Sequence, residues 1–549
     1  MQETSVDRST VLELLCSLVD TDPRRELVSD GVRRMSREQV LDEGLAVGRF
    51  LRSCGVAPDD GVVVILPNWA EFIAVRVAIC ACRSVIVPLV GNVQPDTLRV
   101  TLGEVRPACL ITYGQEHYDM ARSLGFTGPV LVVRGSVAGD ARTFAYEQAV
   151  AGCAGLHTAL DPLAPLPLGA AKSHAEGLSS DLTTWMEPST HPWPHNTSCI
   201  IYTSGSTGKP KGVMHDANAH LLPARWQAEA LQVGPDDVYY VPMSFGHIFG
   251  MGPGLLVPLI SGGRLVFMDH YRSQASCERI VSEGCTVYFG VPTMYIRDYK
   301  TAEEHGYDLS CLRTGIIAGD ITSPDIIERY EKRFGTRLLS SYGMTETSSA
   351  VTCARYDDSE EIRYHSAGLP CDGVKVWIVG PHGEELPAGV TGQIACATPG
   401  LMTGYVNEPE RTARQFDAQG RFLTGDLGQL TEQGALRVVG RLKDMIIRGG
   451  MNIYPVEVES VYNGRDDIAE TRLLGYPDEE LGQRTCLFVA PGEGLVDSPK
   501  ELREFAYGKI ERCKVPDTVL VIDQMPRTSN GKIDLKALRQ RMEGADLKH

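Results

Sequence analysis

Residues 202–213 read Tyr-Thr-Ser-Gly-Ser-Thr-Gly-Lys-Pro-Lys-Gly-Val, a run crowded with glycine, hydroxyl and lysine side chains. Glycine lets backbone N–H groups come close to an anion. Thr203 follows Tyr202, Ser204, Ser206 and Thr207 add hydroxyl donors, and Lys209 and Lys211 add positive charge. That chemistry grips phosphate. A Walker A loop is excluded, because Lys209 is followed by Pro210 and the spacing from Gly205 to Gly208 is too short for one. The apolar pair Ile200-Ile201 just before the run reads as the end of a strand.

Further constellations lie downstream. Ser341-Tyr-Gly-Met-Thr-Glu346 puts an aromatic, a glycine (Gly343), a hydroxyl (Thr345) and a carboxylate on one short stretch. A carboxylate beside a triphosphate suits Mg²⁺, which takes few protein oxygens and many phosphate oxygens. In Thr424-Gly-Asp-Leu-Gly428, Asp426 follows a glycine, and a carboxylate there can accept paired hydrogen bonds from ribose hydroxyls. Pro526-Arg-Thr-Ser-Asn-Gly-Lys532-Ile533 presents one lysine at a turn, a compact charge for a carboxylate–phosphate centre. Phe245-Gly-His-Ile-Phe-Gly250 sets His247 between Phe245 and Phe249.

These motifs, in this order over roughly residues 40–540, resemble the adenylate-forming superfamily of acyl-CoA synthetases, peptide-synthetase adenylation domains and firefly luciferase. The resemblance implies ATP bound by Thr203, Ser204, Gly205, Ser206, Thr207, Gly208 and Lys209. It implies Tyr342 against adenine, Thr345 on the α-phosphate, Glu346 on Mg²⁺, Asp426 on ribose, and Arg441 on ribose and phosphate. It implies that Lys532 contacts the carboxylate and phosphate during adenylation, and that Lys443 is the hinge of a rotating small domain. Gly449 and Gly450 match a double glycine that lines the pantetheine channel in CoA ligases, and Asn452-Ile-Tyr-Pro455 continues that version. His247 resembles a histidine beside the acyl pocket and thiol channel. Phe245, Phe249, Gly290, Val291, Ile317, Gly319 and Gly343 are the implied pocket residues. Met451, where many relatives carry a carboxamide or an acid, and Asp320, where small or hydroxyl residues are common, depart from the pattern.

The elements that must carry these residues alternate. Apolar spacing over 36–54 predicts a helix, 61–66 a buried strand, 70–83 a helix, and 84–90, 109–112 and 130–133 further strands. Residues 154–198 are broken by prolines into a long connection. Strands are expected again at 238–241, 264–267, 286–289, 314–317 and 337–339. The glycine-rich stretch 366–440 reads as a small barrel-like β subdomain, and a last module begins near residue 442. The expected fold is α/β: a large N-terminal domain (1–441) of parallel-type sheets with helices and the β subdomain, then a small mobile α+β domain (442–549).

At 549 residues more than one domain is expected. A net charge of −17 argues against a nucleic-acid partner. The 15 cysteines show no C-x-x-C pairing, which supports neither zinc nor disulfides and suggests a reducing cytoplasm. No apolar run long enough to span a membrane and no signal-peptide pattern is evident.

The expected function is an AMP-forming acid ligase that uses ATP and Mg²⁺. Its acid is compact and apolar, alicyclic or medium-chain, its acceptor is coenzyme A, and a homodimer is possible. An amide-forming variant, similar to coronafacic-acid ligases, would replace CoA by an amino-acid amine. A non-catalytic nucleotide-binding module would have lost Glu346, Asp426, Arg441 or Lys532, and all four are present. A hydrolase lacks its G-x-S-x-G elbow.

Overall fold

The computed structural model describes residues 11–152, 191, 193–194, 196–204, 209–465, 467–492, 494–527 and 533–544. Most of the proline-rich connection and the lysine-bearing turn at 528–532 lie outside them.

Two large sheets dominate. The first has eight strands, with Gly61–Ile65, Val85–Leu89, Cys109–Thr112, Val130–Val132 and Thr143–Ala145 in parallel register and the 197–216 hairpin beside Val85–Leu89. The second has nine strands, with Arg264–Phe267, Val238–Val241, Val287–Gly290, Thr314–Ile317 and Arg337–Tyr342 parallel at its centre. Parallel strands need crossover connections, and these bury both faces of a sheet. That explains why Val62, Val63, Val64 and Ile65 are all fully buried, a continuous apolar run rather than an alternating one.

The helix Arg37–Ser53 begins at a capping box in which Ser36 and Gln39 satisfy each other's free backbone donors. Its Gly44 and Gly48 lie against the next helix, Glu71–Ala81. A Cβ on Gly44 would meet Val77 at 2.6 Å, so glycine lets the two helices close together.

Strands Lys375–Val379, Gly392–Ala397, Phe422–Leu430 and Leu436–Arg441 form a four-stranded antiparallel sheet. Among the described residues it is open, with the first and last strands as edges, where the sequence suggested a barrel-like unit. Two short strands of the same region leave it: Leu369–Pro370 joins the nine-stranded sheet and Gly404–Tyr405 the eight-stranded one. The subdomain is thereby sewn to both.

Beyond Arg441 come a hairpin, Ile446–Arg448 with Met451–Ile453, and a sheet of Ile468–Asp478, Gly482–Pro491 and Thr518–Val521. The apolar clusters here, around Ile446, Val458, Leu473 and Leu487 and around Phe488, Leu538 and Met542, share no residue with those of the larger sheets. No helix among the described residues is long and apolar enough to cross a membrane.

Candidate active site

The residues singled out by their chemistry come from distant segments and meet at strand ends. The described residues of the phosphate-gripping run lie at the end of the strand Thr197–Ser204 and the start of its antiparallel partner Pro210–Asp216, in which Thr203 pairs with Lys211 and Ser204 with Pro210. Gly205, Ser206, Thr207 and Gly208 lie outside the described residues. Thr203 Oγ1 is buried and has no hydrogen-bond partner among the described residues. Lys209 is exposed and lies 3.5 Å from Glu104.

Lys211, the other lysine of the run, is turned inward. Its ammonium pairs with Glu346 Oε1 and donates to Tyr405 Oη at 3.0 Å, and it sits 4.5 Å from the centre of the Tyr405 ring. The Tyr405 hydroxyl donates to the same Glu346 oxygen at 2.8 Å. Glu346 stands in the short 3₁₀ turn Thr345–Thr347, its side chain only 4% exposed. Sequence reasoning counted Lys211 as loop charge and missed Tyr405 altogether. The chain separations are 135 residues from Lys211 to Glu346 and 59 from Tyr405 to Glu346, so no local pattern could join them.

Tyr342 ends the strand Arg337–Tyr342, and its hydroxyl donates to Asp426 Oδ2 at 2.9 Å. Asp426 faces Arg441 across the Phe422–Leu430 and Leu436–Arg441 register, with Arg441 Nε 3.5 Å from Oδ1. Burial holds the Asp426 carboxyl above its ordinary range, opposed by the Arg441 charge. Burial likewise drives the Tyr342 phenol well up, with Asp426 adding to the effect. Tyr342, Asp426 and Arg441 thus form one group. Gly343 is needed for space: a Cβ there would lie 2.3 Å from the Ser349 carbonyl group. Beneath Glu346, His215 is fully buried with Nδ1 3.0 Å from Ser348 Oγ, and burial lowers its pKa to about 4, leaving it neutral.

The residues assigned to the acyl pocket divide. Val291 and Gly319 adjoin, since a Cβ on Gly319 would meet Val291 Cγ1 at 3.2 Å. Gly290 ends its strand beneath Tyr288 and Tyr295. Phe249 is half-buried, its ring 6.3 Å from Phe289, and His247 is half-buried on the same turn. Phe245 and Ile317 are more deeply set than Val291, Phe249, Gly319 and His247. Phe245 is fully buried between Phe72, at 4.6 Å, and Phe267, at 4.9 Å, and belongs to the core. Ile317 is fully buried in the cluster with Tyr288 and Tyr330. Strand alternation sends Ile316 to the opposite cluster.

Arg441, Leu442 and Lys443 form an exposed run between the separate cores, and Lys443 lies in a single 3₁₀ turn. Gly449 and Gly450 form the two-residue turn of the hairpin, with φ of 57° and 81°. Both values are left-handed, the geometry of a type I′ turn, which itself selects glycine. Lys532 lies outside the described residues.

Glu346 fits Mg²⁺ as a single hard carboxylate whose Oε2 carries no described hydrogen bond, a donor set suited to an ion that draws its other ligands from phosphate and water.

Comparison with known proteins gives the family. Residues 18–406 match the AMP-binding enzyme family, and residues 457–532 match the AMP-binding enzyme C-terminal domain. The chain belongs to this family of adenylate-forming enzymes and is an AMP-forming carboxylate ligase. It is 29% identical to the medium-chain fatty-acid–CoA ligase of Escherichia coli, over 90% of this chain and 83% of that one. It is 30% identical to the feruloyl-CoA synthase of an Amycolatopsis species, over 94% of this chain and 96% of that one. The fold matches the anthranilate CoA ligase AuaEII, solved with anthranoyl-AMP, with a TM-score of 0.84 at 21% identity, covering 99% of each chain.

Proposed function

We propose that this ligase joins a compact apolar acid, medium-chain or ring-bearing, to coenzyme A through an acyl-adenylate. The observation that carries the reading is the convergence of Tyr342, Asp426 and Arg441 in one group and of Glu346 with Lys211 and Tyr405 in another. The first group suits a nucleoside and the second a charged phosphate tail. The named CoA ligases, with medium-chain and ring-bearing acids, support the choice of acid and acceptor.

In the first half-reaction a carboxylate oxygen attacks the α-phosphorus of ATP, and pyrophosphate leaves. Asp426 accepts from the ribose hydroxyls while Arg441 steadies its charge. Thr345 and the 203–209 run donate to the α-phosphate, and Lys532 neutralises charge at the reacting centre. Each aimed donor of this kind supplies about 3 kcal/mol of barrier lowering. Glu346 would hold Mg²⁺, which when bound would supply positive charge to the phosphates. In the second half-reaction the CoA sulfur attacks the acyl carbonyl and AMP leaves. We place the boundary between the two catalytic bodies at Arg441 and Leu442, with Lys443 as hinge. Rotation there exchanges Lys532 for the Gly449-Gly450 face.

The test is a panel of acids with ATP, Mg²⁺ and CoA, read by mass spectrometry. Acyl-CoA formed only when CoA is present supports the reading. Amide formed from amino acids without CoA would reassign the acceptor. Absence of pyrophosphate release with every acid would sink the adenylation assignment of Glu346 and Lys532.

A further inference from the structure

Asp298, in the helix Pro292–His305, is a fully buried carboxylate that neither half-reaction uses. Among the described residues it forms no ion pair, and three hydroxyls donate to it instead. Tyr271 Oη donates to Oδ1 at 2.7 Å, Ser276 Oγ to Oδ2 at 2.7 Å, and Tyr288 Oη to Oδ2 at 2.8 Å. Burial raises the Asp298 carboxyl from 3.8 to about 6, with the three donors opposing the rise, so at neutral pH it is ionised and accepts from all three. Burying a charge with no cation beside it is costly, and apolar packing at the same place would stabilise the core more. What the carboxylate supplies is position, because each donor comes from a different element. Tyr271 precedes the helix Ser273–Glu283, Ser276 lies in that helix, and Tyr288 lies in the strand Val287–Gly290.

Tyrosines also fix the first turn of the Asp298 helix. Tyr271 Oη lies 3.0 Å from the Met294 carbonyl, Tyr295 Oη donates to the Tyr288 carbonyl at 2.6 Å, and Tyr330 Oη donates to the Tyr295 carbonyl at 3.0 Å. The neighbouring strand leaves room for them: a Cβ on Gly315 would lie 2.1 Å from the Tyr288 carbonyl oxygen and 2.7 Å from Tyr295 Oη. No side chain caps the start of the helix, where Val291 is the N-cap residue, so these contacts hold that end. Val291 in turn stands 3.2 Å from where a Cβ on Gly319 would be.

We propose that Asp298 is a positioning residue for acid recognition. By drawing Tyr271, Ser276 and Tyr288 onto one carboxylate, it fixes the first turn of its helix and with it the spacing of Val291 and Gly319, against which the acyl group fits. The inference rests on the reading of Val291 and Gly319 as walls of the acid pocket. Asp298 touches neither the acid nor ATP. Its effect is confined to the fit of the acid, because Tyr342, Asp426 and Glu346 are held by contacts of their own.

The measurement is acid-dependent exchange of pyrophosphate into ATP, which gives KM for the acid and KM for ATP in one assay. Asp298→Asn keeps the shape but offers one acceptor oxygen where the carboxylate has two, so donors on the other position must turn away. Its KM for the acid should rise about tenfold, the worth of about one such contact, while its KM for ATP stays within about twofold. Tyr271→Phe removes one hydroxyl at the half-buried edge of the network and carries the test if the first variant does not fold. It should raise the acid KM in the same direction. The double variant should raise it by less than the product of the two, since both act through one network. A lower melting temperature with both KM values unchanged is the signature of a merely structural role and overturns the assignment. A parallel rise in both KM values overturns it too. Exchange in the natural protein with an unaltered acid KM in the variants sinks the positioning role alone. If the natural protein shows no exchange with any acid, the ligase reading fails and this inference falls with it.

Discussion

Glu346 is held by a cation and a phenol on the same oxygen, in a place where its charge is almost wholly withdrawn from solvent. Removing one partner of such a pair strands the other's charge, at a cost of about 3 kcal/mol or more. Lys211→Met and Glu346→Gln should each lower the urea-unfolding free energy by about 3 kcal/mol, and the double substitution should cost clearly less than their sum. Additive losses would show that the pair contributes nothing in solution. Asp426 gives a second expectation. In the proposed role its ionised form accepts both ribose hydroxyls, and burial has raised its pKa. AMP affinity should therefore fall as pH drops through that raised value, earlier than an ordinary carboxylate would dictate. Asp426→Asn should bind AMP more weakly and without that pH dependence. Calorimetry from about pH 8 to about pH 4 reads both. The residue types at this site were legible from sequence, because glycine, hydroxyl, lysine and carboxylate in tight order leave few other chemistries. The inward turn of Lys211 and the role of Tyr405 were not, since both depend on how the Gly404–Tyr405 strand is laid beside the hairpin.

At the scale of elements, the Gly449-Gly450 turn shows how one motif can satisfy two demands. A Cβ on Gly450 would meet nothing within 4 Å, so any penalty for a side chain there is purely backbone. With φ at 81°, Gly450→Ala should destabilise the C-terminal unit by about 1 kcal/mol, and Gly450→Asn by less, because asparagine enters the left-handed region more readily. Thermal melting followed by circular dichroism decides it, and equal losses for both would mean that the turn is not held as described. Most strands and helices of the large sheets were readable, because parallel strands buried on both faces are short unbroken apolar runs. The glycine-rich stretch 366–440 was readable as β but not as an open sheet. Where Leu369–Pro370 and Gly404–Tyr405 pair is decided by partners far away in sequence.

At the scale of the whole molecule, the apolar clusters divide on either side of the exposed Arg441–Lys443 run. Calorimetry is expected to show two unfolding transitions, with ATP and Mg²⁺ raising the larger one. A single transition that moves as one would mean that the cores are coupled. Glu459 marks the smaller transition. It is buried in the helix Pro455–Asn463, accepts from the Leu473 N–H at 2.7 Å, and lies 3.6 Å from Arg472. Burial raises its carboxyl from 4.5 to about 7, and the Arg472 charge opposes this. A folded-state value above the unfolded one means that the folded state holds the proton more tightly. The contribution is full below about pH 4.5 and is lost as pH rises through about 7, a change of about 3 kcal/mol. The smaller transition should therefore weaken over that window, and Glu459→Gln should flatten it.

The sequence by itself determined the class of chemistry and the order of the elements. Both are local properties: a phosphate loop, a Gly-Asp turn and an apolar run are written in consecutive residues. Tertiary structure alone decided which side chains face one another. Phe245 and Ile317 are buried in separate apolar clusters, Phe245 against neighbouring aromatics and Ile317 on one face of its strand, which no local pattern records. Glu346, Lys211 and Tyr405 became one group because three distant segments end at the same edge of packed sheets, a convergence that long-range pairing creates and no local pattern records.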